Sequence, residues 1–319
     1  MKFMFSFLYT NSNLLNLKEG YEKKMYEYES ASNPTIEEIP IETLNKESYE
    51  DEEESKVINF DLSNKIGTDY KATSPNLLAS FIVLKKNDKI LVRSKCSSQL
   101  FYIINGSGCL KNEFEDLMFS EGDLITLPYC SDGMKFCSDD EDVNIYWVND
   151  SPLLNYLGVV SDKVIVPPTI YKKEEIILKL EEINNEDGSE NRNRNGILLG
   201  NSITEKIGTK TLTHILWSLY NVIKPNCVQK PHKHNSVALD LCIYAEPNKV
   251  YTLIGKDLDE NGDIINPQKI YWSTKGAFIT PPGLWHSHVN ESDSEAFVLP
   301  VQDAGLYTYQ RTLDIQFSK

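Results

Sequence analysis

Apolar residues fall along this chain in two series of short runs. The first opens near Asn76 and reads "LLASFIVLK", "KILVRS", "QLFYIINGSG", "DLITLP" and "VNIYWVN". Run length, β-branched and aromatic content, and the Gly, Asp and Asn between runs are those of β-strands. The second series reads "LTHILWSLYNVI", "VALDLCIYA", "KVYTLIG", "KIYWS", "GAFITPP", "EAFVLPVQ" and "TYQRTLDIQF". Short strands at regular spacing predict an all-β sandwich or barrel. Two series of like rhythm predict an internal duplication. Within the second, "DLDENGDI" carries Asn261-Gly262, a reverse-turn signal that draws one hairpin out long.

Between the series the pattern changes. Ile176, Leu178, Leu180 and Ile183, set among Lys and Glu, predict a short helix over 172–184, followed by a linker to about 196. Residues 26–56, including "ESASNPTIEEIPIETLNKESYEDEEES", are rich in Glu and Ser, which predicts an extended or disordered acidic arm. The expected organisation is therefore an arm over 1–60, a first β domain over 61–160, helix and linker over 161–200, and a second β domain over 201–319.

Composition narrows the partners. The 319 residues are 40% hydrophobic, enough for a large core, and carry 32 Lys plus Arg against 47 Asp plus Glu, a net charge of −15. That field repels phosphate backbones and anionic bilayers, so neither nucleic acid nor a membrane is an expected partner. Cys96, Cys109, Cys130, Cys137, Cys227 and Cys242 form no C-x-x-C pair, and several sit in apolar runs. Buried reduced thiols in a cytoplasmic protein are expected, not a disulfide framework or a soft-metal site. The opening "MKFMFSFLYTNSN" has a short apolar run without a small-residue cleavage site, and Met25 offers an alternative start.

Histidine is scarce, and four of the five lie in "PHKHNSVALDLCIY" and "GAFITPPGLWHSHVN". On an extended backbone His232 and His234 project to one side. Pro281, Pro282 and Gly283 make a tight turn that would aim His286 inward. Three neutral imidazoles converging from two strands suit one divalent ion and leave positions open for substrate or dioxygen. Asp240, between Leu239 and Leu241, falls by alternation on the side of His232 and His234. The fifth histidine, His214, reads as a hydrogen-bonded residue on a core strand.

These two stretches resemble the two motifs of the cupin superfamily, small β-barrels of double-stranded β-helix (jelly-roll) form with a metal site inside; the duplication resembles a bicupin. "WHSHVNESDSEAFVLPVQDAGL" is similar to the Trp-His-x-His segment of gentisate and salicylate ring-cleaving dioxygenases. The resemblance covers roughly residues 76–317 and implies two tandem cupin barrels, with Fe(II) on His232, His234 and His286 and with His288 in the pocket. The usual cupin glutamate would fall on Ala238 or Leu239, so three histidines are implied. Where the gentisate-type enzymes hold the substrate carboxylate with arginine, this chain has Asp240, which would favour a cation or a hydrogen-bond donor; a displaced ligand role for Asp240 is the alternative.

In the first series "RSKCSSQ" and "YCSDGMKFC" stand where the histidines would be, so that barrel is expected to lack the metal and to serve packing and oligomerisation. Trp285, Tyr244, Gln302 and Arg311 are the expected pocket residues, with Trp272, Tyr251, Asp303 and Tyr307 as further candidates; Arg311 would offset Asp240 or anchor an acidic group. His288 and Asp240 are the candidate catalytic groups. The expected function is a cytoplasmic, homo-oligomeric Fe(II) dioxygenase acting on a small organic, aromatic molecule. Mn, Ni, Cu and Zn are alternative ions, and a metal-assisted lyase or isomerase, or a non-catalytic binding cupin, are alternative functions.

Overall fold

The computed structural model describes residues 21–189 and 192–319; the apolar stretch at the chain's start lies outside them. Among the described residues, 21–37 belong to a unit of their own, with one short exposed helix, Tyr28–Ala31, capped by the Glu27 carboxylate. Residues 38–319 form the second unit. None of the described helices is long and apolar enough to cross a membrane.

Within that unit are four antiparallel sheets, two for each series: a large six-stranded sheet and a second that closes over it. The first large sheet runs Thr169–Tyr171, Leu124–Leu127, Gln99–Asn105, Val143–Asn149, Leu78–Leu84, Lys56–Asn59. Its counterpart runs Thr43–Leu44, Ala277–Thr280, Ala238–Tyr244, Ala296–Gln302, Trp217–Ile223, Asn195–Leu199. A four-stranded sheet closes over the first, giving an interior of Phe101, Phe136, Leu110 and Trp147. Gln268–Tyr271, Val250–Gly255, Trp285–Asn290, His232–His234 and Ile315–Phe317 close over the second. The architecture is that of two jelly-roll barrels in tandem. A third core lies between the two large sheets, where Phe81, Leu100 and Tyr146 meet Leu239, Leu241 and Val301. Strands such as Ala238–Tyr244 are therefore buried on both faces over residues 238–242 and read as continuous apolar runs rather than alternating ones.

The duplication shows in a repeated device. Asp150 ends a strand, accepts from the backbone N–H of Ser97 and Ser98, and leads into helix Ser151–Leu157. Asp303 ends the matching strand, accepts from Val237 N–H, and leads into helix Ala304–Gln310. Residues 304–310 are thus helical, where the apolar pattern suggested a strand over 308–317; only Ile315–Phe317 is extended. His214 is not on a strand. It sits half-buried in the turn before Trp217–Ile223, and its Nε2 meets Ser97 Oγ at 2.9 Å, joining the barrels.

Two expectations about connections are corrected. The acidic arm ends well before residue 60. Thr43–Leu44 pairs with Ala277–Thr280, Lys56–Asn59 pairs with Leu78–Leu84, and between them Tyr49 stacks on Phe81 at 4.3 Å and donates its hydroxyl to Lys275 O. Ile39, Leu44, Tyr49 and Ile58 are too widely spaced to show a period, yet each packs on the core between the barrels. Residues 161–200 likewise contribute Thr169–Tyr171 to the first barrel and Asn195–Leu199 to the second. Helix Lys173–Asn184 forms as expected, but it buries Ile176 and Leu180 and leaves Leu178 59% exposed, off the buried stripe.

Candidate metal centre

Strand His232–His234 pairs antiparallel with Trp285–Asn290, with His232 opposite His286. The turn between Ala277–Thr280 and Trp285–Asn290 needs Gly283 at φ +78°, and Gly283 N–H donates to His234 O at 2.7 Å, tying the turn to the histidine strand. His232, His234 and His286 form the one group of three or more metal-capable side chains among the described residues, with donor atoms within 4.8 Å of one another.

Their hydrogen bonds fix the ring orientations. His234 Nδ1–H donates to Ser236 O at 2.8 Å and His286 Nδ1–H to Leu284 O at 3.1 Å, because a carbonyl only accepts; both Nε2 lone pairs then face the centre. His232 differs. Arg194 Nη2 donates to its Nδ1 at 2.8 Å, so the ring proton lies on Nε2, which donates to His286 Nε2 at 3.1 Å. A divalent ion between these nitrogens would replace that shared proton. Burial keeps the rings neutral: His232 is held down to about 2, with Arg194 as the next cause, His234 to about 4, and His286 well below its usual value. Three neutral nitrogen donors on two paired strands fit one divalent ion.

A cavity of about 230 Å³ opens beside this centre. Its wall is largely apolar, from Trp217, Leu219, Pro300, Ile315 and Phe317, with Asn221, Gln229, Gln302, Asp240, His288 and Arg194 as the polar groups beside the three histidines. Trp272 Nε1–H donates to Thr252 Oγ1, which lies 2.9 Å from His288 Nδ1 and sets that ring. Burial lowers His288 to about 3. Asp240 accepts from Thr280 Oγ1 at 2.6 Å, and burial raises it to about 7. It is not in the three-histidine group.

Of the expected pocket residues, Gln302 lines the cavity, and the others do not. Trp285 alternates with His286 and faces outward under Lys233. Tyr244 follows an irregularity in strand register and is 44% exposed. Arg311 ends a helix in the left-handed conformation, exposed, with its guanidinium by Tyr309. Trp272 and Tyr251 are buried nearby without lining the cavity, as is Asp303, which accepts from Asn76 in the first barrel. Arg194, Trp217, Phe317 and Ile315 were not expected; Arg194 lies in a segment with the composition of a linker.

No protein-family model and no curated protein sequence matches the chain. Solved structures do match. Salicylate 1,2-dioxygenase from Pseudoaminobacter salicylatoxidans, as a single-substitution variant in complex with gentisate, is similar over 99% of this chain and 95% of its own, at TM-score 0.69 and 11% identity. Another structure of a salicylate 1,2-dioxygenase from Pseudaminobacter salicylatoxidans covers 97% of both chains at 0.68 and 11%. Oxalate decarboxylase covers 85% of this chain and 78% of its own at 0.53 and 12%. At these identities the likeness is one of fold: the chain has the bicupin fold.

Proposed function

We propose that the protein is a metal-dependent dioxygenase of a small organic molecule, with Fe(II) held by His232, His234 and His286. The convergence of three neutral imidazoles on the wall of an apolar cavity carries this reading. Bound there, the ion would supply Lewis acidity and, as Fe(II), an electron source toward dioxygen. Trp217, Leu219 and Phe317 would exclude water and pack on an aromatic or aliphatic body. His288, fixed by Thr252, would orient substrate, and the Asp240 carboxyl, raised to about 7, would hold or release a proton at Oδ. Six free thiols support a reducing, cytoplasmic setting, and exposed Tyr156, Leu157, Val160 and Val164 support self-association.

Metal content and oxygen uptake, measured on wild type and His234→Ala, test the reading. The variant should lose most of its metal and its uptake; equal metal loading in both would overturn it. The buried Asp240 carboxyl, raised to about 7 on the wall of the same cavity, favours a second reading as a metal-assisted lyase or isomerase. Turnover that persists without oxygen would select that reading.

A further inference from the structure

The repeated aspartate device sets the two barrels in register. Ser98 N–H donates to Asp150 and Val237 N–H to Asp303, so Ser98 of the first barrel answers to Val237 of the second. Counted back from there, Arg93 and Lys95 stand where the second barrel has His232 and His234. Trp147 and Pro300 precede the two aspartates at the same interval, and Leu78 and Trp217 each open the strand that pairs alongside. All four residues of the first set line a cleft of about 440 Å³, and all four of the second line the metal cavity. The first barrel therefore repeats the cavity, with two cations in place of two metal ligands.

The charge of this cleft is one-sided. Lys71 joins Arg93 and Lys95 on its wall, and no Asp or Glu lines it, in a chain of net charge −15. Among the described residues none of the three cations makes an ion pair. A side chain at Gly133 would meet Arg93 Cγ at 2.8 Å, so that turn keeps the arginine stem lying along it. Asn149, fully buried, has its Oδ1 fixed by Ser94 Oγ and by Ser151 N–H, two residues of the cleft. Its Nδ2 is thereby left as a buried donor without a partner. Unpaired cations beside an open donor suit a group that is negative and rich in acceptors. A phosphate group carries up to two negative charges and three acceptor oxygens, enough to face an arginine fork and two lysines together. Leu78, Trp147 and Val57 add an apolar wall for whatever body carries it.

We infer that the mouth of the first barrel is a binding site for a phosphate group, held by Arg93, Lys95 and Lys71. The site needs no metal and stands apart from the dioxygenase reading of the second barrel. Inorganic phosphate and phenyl phosphate are the probes, with binding measured by calorimetry on the full chain, with and without divalent metal, in phosphate-free buffer. Phenyl phosphate should bind at one site, with the same affinity in both metal states and more tightly than inorganic phosphate. The double variant R93Q/K95Q should weaken it at least about ten-fold, as loss of charge-assisted hydrogen bonds implies, and K71Q alone about three-fold or more. K179Q/K206Q, which removes two exposed lysines outside the cleft, should leave binding unchanged and so controls for net charge. Equal affinity for the two probes would assign the site to free phosphate. Absence of saturable binding, binding that survives R93Q/K95Q, an equal loss in K179Q/K206Q, or binding that requires the metal would overturn the assignment.

Discussion

Asp240 is buried at 2% exposure, and among the described residues the one partner of its carboxyl is the Thr280 hydroxyl. Burial disfavours its ionised form and raises it from 3.8 to about 7. The folded state then binds this proton more tightly than the unfolded chain does. Its contribution to stability is therefore full below about pH 4 and is lost as pH rises toward 7, where the native carboxyl too must ionise. Asp240→Asn keeps an acceptor for Thr280 and removes the charge. The variant's melting temperature should exceed that of wild type by more at pH 8 than at pH 4.5, as read by thermal denaturation at each pH. An equal difference at both would show that the carboxyl is not desolvated as the fold implies.

Elements position these residues through alternation and pairing. In Ala238–Tyr244, Leu239 and Leu241 face the neighbouring barrel while Ala238 and Asp240 face the cavity, so one strand serves both. Helix Lys173–Asn184 shows the same economy on a helical period. Ile176 and Leu180, four apart, are buried, and Leu178 lies between them on the exposed side. Leu180→Ala should cost about 2–5 kcal/mol by cavity formation, whereas Leu178→Ala should change stability by less than about 0.5 kcal/mol. Urea titration of both variants checks the contrast, and equal costs would mean the helix is docked on another face.

At the scale of the molecule, the core between the large sheets joins the two barrels. Tyr146 of the first packs there and Tyr49 of the arm stacks on Phe81, while Leu239, Leu241 and Val301 come from the second. Polar ties cross with it: Asn76 to Asp303 at 2.7 Å and Ser97 to His214 at 2.9 Å. Neither barrel keeps its large sheet covered alone, so residues 38–319 should unfold in a single calorimetric transition. Leu241→Ala, at a fully buried position, should move that transition down as a whole by about 2–5 kcal/mol. Two separated transitions, with only one moved by Leu241→Ala, would show that the barrels are independent.

The sequence by itself determined the strands, the duplication and the histidine pairing, because each follows from local rules. Residues two apart on an extended chain share a face, and the Pro281–Gly283 turn returns His286 beside them. Gln302 and Asp240 were legible for the same reason. The tertiary structure alone decided what surrounds them. Arg194 reaches the cavity because Asn195–Leu199 pairs with Trp217–Ile223, and Phe317 because Ile315–Phe317 pairs with His232–His234. Pairing between distant segments leaves no period in composition, so the linker-like "NRNRNG" gave no sign of a half-buried cation on the cavity wall. The same holds for the arm, whose scattered Ile39, Leu44 and Tyr49 acquire a face only when two barrels present them with one.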